Sequence, residues 1–188
     1  MVSKAAKDEA ASGARRGGKR SALRASVARS VLLVAFAALV QAVVAPYLTF
    51  GFVAPAFSVL CVVVAAAGLK EASALLVGFF GGILVDALGS GLFGVGALSG
   101  VLAAALATRA GILGARGGDR LRLAGAVVAA VAVHDLVSVA AVGLAGGEWP
   151  PSSGFALLGL IPDALLNGLL AYLLGGLLLR LVLVEARR

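Results

Sequence analysis

Apolar residues in this chain fall in long blocks; they neither alternate nor trace one face of a helix. Six blocks stand out, covering about Ser30 to Leu48, Ala54 to Gly68, Ala72 to Leu88, Leu92 to Ala110, Leu121 to Ala145, and Phe155 to Val184. Turn-forming residues separate them. Pro46 and Pro55 bracket the first break, and Gly68-Leu69-Lys70-Glu71 makes the second. Gly89-Ser90-Gly91 makes the third, Gly111 to Asp119 the fourth and Gly146 to Gly154 the fifth. A hydrocarbon core about 30 Å thick needs about 20 residues of helix to cross it. The blocks therefore predict an all-α, polytopic membrane protein with six transmembrane helices. The second and third blocks are short for a crossing, and the sixth is too long. Pro162 has no N–H and suits a first helical turn. This predicts an interfacial or partly re-entrant piece near Phe155 to Leu160, with the true span starting at Pro162.

Composition agrees with the pattern. Of 188 residues, 61% are hydrophobic and 13% charged, and mean hydropathy is +1.08. Soluble domains carry roughly 45–50% apolar and about 25% charged residues, so too few charges are present to cover a soluble surface. A single cysteine, Cys61, excludes a disulfide framework within the chain and reads as a small core residue. Trp149, beside Pro150 and Pro151, is the best candidate for an interfacial aromatic anchor.

Charge placement adds a topology. Residues 1–28 are polar, basic and rich in Ser, Gly and Ala; they read as a disordered cytoplasmic tail ahead of a single six-helix domain over 29–188. The apolar run that follows is too long for a cleavable signal. Lys4, Lys7, Arg15, Arg16, Lys19, Arg20, Arg24 and Arg29 are half of the 16 basic residues. The tail adjoins a membrane span and holds no aromatic, so anionic lipid is favoured over nucleic acid as its partner. Lys70 falls in the second loop, Arg109, Arg116, Arg120 and Arg122 around the fourth, and Arg180, Arg187 and Arg188 at the end. The first, third and fifth loops hold no Lys or Arg. With six crossings, every cation lies on one side and both termini are cytoplasmic.

Asp86, His134, Asp135 and Asp163 are then expensive residues at membrane depth; a charged Asp at a helix centre costs on the order of 3 kcal/mol. The three acids fall in the outer half, with Asn167 one turn beyond Asp163. Each has a plain and a functional reading. Asp163 suits the positive end of a helix, and Asp86 suits an interface next to its glycine turn. His134 and Asp135 read as a buried polar pair holding helices together or as a proton relay. Together the acids could also line an outward cavity, and His134, Asp135, Asp163 and Asn167 form the candidate set of buried polar or cavity-lining residues. One His and scattered carboxylates make a poor metal set. Gly78 with Gly82, and Gly96 with Gly100, are spaced four apart, as helix faces that admit a close neighbour are. With Asp86 they predict a partner-binding groove on the third and fourth helices. No phosphate-cradling loop, cysteine cluster or Ser-His pair at nucleophile spacing occurs, so neither an enzyme nor a cofactor is expected.

The stretch from Gly78 to Arg109, GFFGGILVDALGSGLFGVGALSGVLAAALATR, resembles the rod shape-determining protein MreD family of bacteria. The matching positions are Asp86, Gly91, Leu92, Phe93, Gly94, Ala97, Leu98, Ser99 and the closing Arg109. The resemblance covers about Tyr47 to Arg109; beyond it only hydropathy matches, and the long basic tail departs from the family's short-tailed members. It implies a non-enzymatic scaffold of the cell-elongation machinery in the bacterial inner membrane. Its implied partner is the single-span protein MreC, and through it a peptidoglycan polymerase and transpeptidase pair, with the actin-like MreB inside the cell. It also implies a fold similar to the substrate-binding subunits of energy-coupling-factor transporters. That gives the rival expectation: a vitamin- or cation-binding subunit with an outward cavity at Asp86, Asp135 and Asp163 and a coupling surface at Ala38 and Ala42.

Overall fold

The computed structural model describes residues 25–49, 53–89, 91–112, 120–146 and 155–183, the last segment without the side chains of 155–158 and 183. The tail up to Arg24, Arg116, Trp149, Arg187 and Arg188 lie outside the described residues. The described residues are helical: α1 (Ala25–Val43), α2 (Phe57–Ala67), α3 (Glu71–Leu88), α4 (Val95–Arg109), α5 (Arg120–Leu144) and α6 (Phe155–Leu183). A 3-10 turn, Ala45–Leu48, follows α1.

Four of these helices are long and apolar enough to cross a membrane: Ala25–Val43, Glu71–Leu88, Arg120–Leu144 and Gly159–Val182 within α6. The expectation of six membrane-length helices is corrected at α2 and α4. Their 11 and 15 residues span roughly 16 and 22 Å at 1.5 Å per residue. α2 is an interior helix, buried from Ser58 to Ala66 and packed against α3, α4, α5 and α6. A helix that is apolar on every side belongs inside. Cys61 is buried in it, as a small core residue would be.

Element ends also differ from the hydropathy blocks. α1 begins at Ala25, ahead of Ser30, so the last residues assigned to the tail are helical. It stops at Val43, because Pro46 at the start of the 3-10 turn cannot supply the next α-type N–H. α6 runs through Pro162 without a break, so no separate re-entrant piece precedes the span. In lipid, frayed backbone groups would find no water, which favours keeping the helix despite one missing N–H.

The helices order the charges. Gly78 faces Gly100 and Gly82 faces Gly96, so α3 and α4 are antiparallel, with Lys70 and Arg109 at one end and Asp86 and Gly94 at the other. Arg122 donates to the Gly111 carbonyl at 3.5 Å, and the Arg120 guanidinium lies over Gly176 of α6, one turn before Arg180. Gln41 near the end of α1 reaches the start of α2, which leaves Arg29 roughly 18 Å of helix away from it. Arg29, Lys70, Arg109, Arg120, Arg122 and Arg180 thus share the end of the bundle opposite the buried acids.

Candidate functional site

Asp86 explains the lone acid ahead of the glycines. It sits in the last turn of α3, and its carboxylate turns onto the first turn of α4. Oδ2 accepts the N–H groups of Gly94 at 2.9 Å and Ala97 at 3.1 Å, and Oδ1 accepts that of Gly96 at 2.8 Å. Helix starts leave N–H groups without intrahelical partners, and a carboxylate there also meets the positive end of the helix. No side chain within α4's own cap does this work. Asp86 is therefore a cap supplied across the turn. It is neither a solvated interfacial residue nor a free acid awaiting a partner.

The glycines around it make that geometry possible. A Cβ on Gly82 would overlap the backbone of Gly96 and Ala97, and one on Gly78 would overlap the Gly100 carbonyl. The expected groove for a foreign helix is corrected accordingly: Gly78, Gly82, Gly96 and Gly100 form the seam between α3 and α4 themselves. Gly94 precedes α4 with φ +100°, a left-handed conformation. Nothing lies within 4 Å of a Cβ there, so Gly94→Ala is strained by backbone alone. It should cost about 1–2 kcal/mol, read as a lower unfolding midpoint in detergent. An unchanged midpoint would mean that the turn does not hold this φ.

A second polar fastening joins α6 to the segment before α2. Asp163 Oδ1 accepts the Ala54 N–H at 2.6 Å. Asn167 Oδ1 accepts the Ala56 N–H at 2.6 Å, while its amide donates to the Ala54 carbonyl at 3.0 Å and to the Asp163 carbonyl at 2.9 Å. Pro55, between them, has no N–H to satisfy. Asn167 is only 1% exposed, and every polar atom in such a place needs a partner. Gln41 completes the arrangement: its side-chain oxygen accepts the Ser58 N–H at 3.3 Å. Sequence reading missed Gln41, although a lone amide in an apolar span is a usable signal.

His134 and Asp135 do not bond to each other. The His134 ring meets Ser99 through Nδ1, 2.8 Å from Oγ. The Ser99 hydroxyl also lies 3.1 Å from the Gly96 carbonyl. Which of the ring and the hydroxyl donates to the other follows from the ring's tautomer. Asp135, half-buried one residue on, has no hydrogen-bond partner among the described residues and feels the charge of Asp163. Asp86 and Asp163 both lie within electrostatic reach of His134. The structure thus gathers the expected polar residues at one end; Asp86, His134, Asp163 and Asn167 each hold separate hydrogen bonds there, and Asp135 holds none among the described residues.

The cavity at this end, between α2, α3, α4 and α5, is small. Ser58, Ser99 and His134 line about 20 Å³, room for one water. Among the described residues no group of three His, Cys, Asp or Glu side chains could hold a metal ion. Ala38, offered as a coupling surface, is 1% exposed and belongs to the core. The larger opening is elsewhere. α1 and α3 enclose an apolar groove of about 460 Å³ whose lining includes Val27, Val31, Ala35, Ser73, Phe80 and Leu84. Comparisons with family models, with curated proteins and with solved structures gave no match to this chain.

Proposed function

We propose that the chain is a non-enzymatic scaffold of the bacterial cell-elongation machinery, of the MreD type. It resides in the cytoplasmic membrane, with its basic end and both termini inside. The observation that carries this reading is the unit formed by Asp86, Gly94, Gly96, Ala97 and Ser99. Four of the positions that carry the resemblance, Asp86, Gly94, Ala97 and Ser99, are tied together with Gly96 by hydrogen bonds at one helix–turn–helix seam. The cations gathered at one end support the orientation, since basic residues are retained on the cytoplasmic side. In this reading α2 and α4 complete a six-helix domain whose crossings are partly made by short, protein-enclosed helices.

The partner is the transmembrane helix of an MreC-like single-span protein, which would link the scaffold to a peptidoglycan polymerase and transpeptidase and, inside, to MreB. Its seat is the α1–α3 groove. That groove is apolar along two membrane-length helices, so its occupant must itself be apolar and elongated. The basic tail would lie on anionic lipid beside it. The transporter-subunit reading has less support. Drug-sized ligands fill pockets of about 300–1,000 Å³, whereas the polar cavity beside His134 is about 20 Å³, and the carboxylates of Asp86 and Asp163, which do not line it, already hold backbone N–H groups.

Copurification in a mild detergent tests this. A single-span periplasmic protein should be recovered with the wild type. Ala35→Trp, which fills the groove, should reduce that recovery several-fold at equal membrane abundance. Recovery of ATPase subunits, or of a tightly held vitamin, would overturn the scaffold.

A further inference from the structure

Arg120 and Arg180 both lie at the basic end of α5 and α6. The Arg120 guanidinium crosses α6 at Gly176, where Nε and Nη2 lie 3.0 and 3.2 Å from the position of a Cβ. Only a glycine leaves that seat open. Arg180 is one turn further on the same face, and helical side chains lean toward the preceding turn. That puts Arg180 on the same side of α6 as the Arg120 guanidinium. Both residues are exposed, and among the described residues neither has an ion pair with a carboxylate.

Leu173, Gly176, Leu177 and Arg180 form one helical stripe on α6. Leu173 and Leu177 are each 60% exposed, with Leu181 and Leu121 also open beside them. Two exposed guanidinium groups, without a carboxylate partner among the described residues, at the head of an apolar strip match one ligand chemistry: a phosphate carrying acyl chains. Guanidinium binds phosphate oxygens in a bidentate fork, and two of them can share one phosphate. The flanking sequence has an excess of cations: Arg109, Arg116, Arg120, Arg122, Arg180, Arg187 and Arg188 against Asp119 and Glu185.

We propose that Arg120 and Arg180, seated by Gly176, bind the phosphate of an anionic phospholipid headgroup, with its acyl chains along Leu173 and Leu177. This site is separate from the amino-terminal tail and does not depend on the scaffold reading.

The test uses the full chain in mild detergent. Native mass spectrometry and thermal unfolding are followed with phosphatidylglycerol, phosphatidylethanolamine or inorganic phosphate. Phosphatidylglycerol should be retained and should raise the midpoint more than the other two. Arg120→Gln with Arg180→Gln, the tail left intact, should lower that retention by roughly tenfold or more. Gly176→Leu keeps both charges but closes the seat, and should lower retention in the same direction; it also serves if the double variant does not fold. Retention unchanged in whichever variant folds would overturn the proposal. An equal midpoint rise with inorganic phosphate alone would also overturn it, by making the site one for free phosphate.

Discussion

Gly82→Leu is expected to open the α3–α4 seam and to expose Cys61 to thiol reagents at temperatures where the wild type is protected. At Gly82 a new side chain meets backbone atoms of Gly96 and Ala97, which cannot rotate away as a flexible side chain would. The two helices must separate, and the Asp86 bonds to Gly94, Gly96 and Ala97 separate with them. Overpacking usually costs 1–3 kcal/mol; with backbone as the obstacle, about 3 kcal/mol or more is expected. Cys61 is the chain's one thiol and is buried in α2, which packs against both α3 and α4, so maleimide labelling during a temperature ramp reads the opening. Gly82→Ala should shift labelling in the same direction, by less. Wild-type labelling in Gly82→Leu would show that the helices do not approach as described.

The second large effect is expected at Asp86→Ala. The change leaves the N–H groups of Gly94, Gly96 and Ala97 without their acceptor at the start of α4. A hydrogen bond to a charged group contributes about 1.5–3 kcal/mol and the three are not independent, so a loss of about 3–5 kcal/mol is expected. Asp86→Asn keeps one acceptor oxygen but turns an amide donor toward the remaining N–H groups, and should fall between the two. The same labelling experiment ranks the three proteins. Asp86→Asn indistinguishable from wild type would mean that the carboxylate does not cap α4.

How much of this was legible depended on whether the signal was local. Hydropathy blocks located every helix, because each block is long and its breaks contain Gly or Pro. Their ends were not legible, since Ala25 to Ala28 look like tail and Leu92 to Gly94 look like helix until the turn is built. The short, enclosed nature of α2 was not legible for a physical reason: a fully enclosed helix and a lipid-facing one are equally apolar, and only length and burial separate them. The spacing of the glycines announced close helix packing correctly. What spacing cannot say is which surface lies opposite, and here each pair met the other. Pro162 was read as a starting residue because in water it would be one. Asn167 reads as a buried polar or cavity residue, and it is buried, but its partners were not legible; Gln41 was overlooked. The groups these two accept from are backbone N–H donors elsewhere in the chain, and no sequence pattern marks a backbone N–H.

The fastening of Ala54 and Ala56 has a consequence for how the molecule is made. Their partners, Asp163 and Asn167, leave the ribosome more than a hundred residues later, at sequence separations of 109 and 111. At 5–20 residues per second, that interval is roughly 5–20 s. Throughout it, the entry to α2 sits in the nascent chain with its amides unclaimed, while a short, wholly apolar segment waits for its enclosure. Such a chain has good reason to engage an insertase or a membrane chaperone until its final helix emerges.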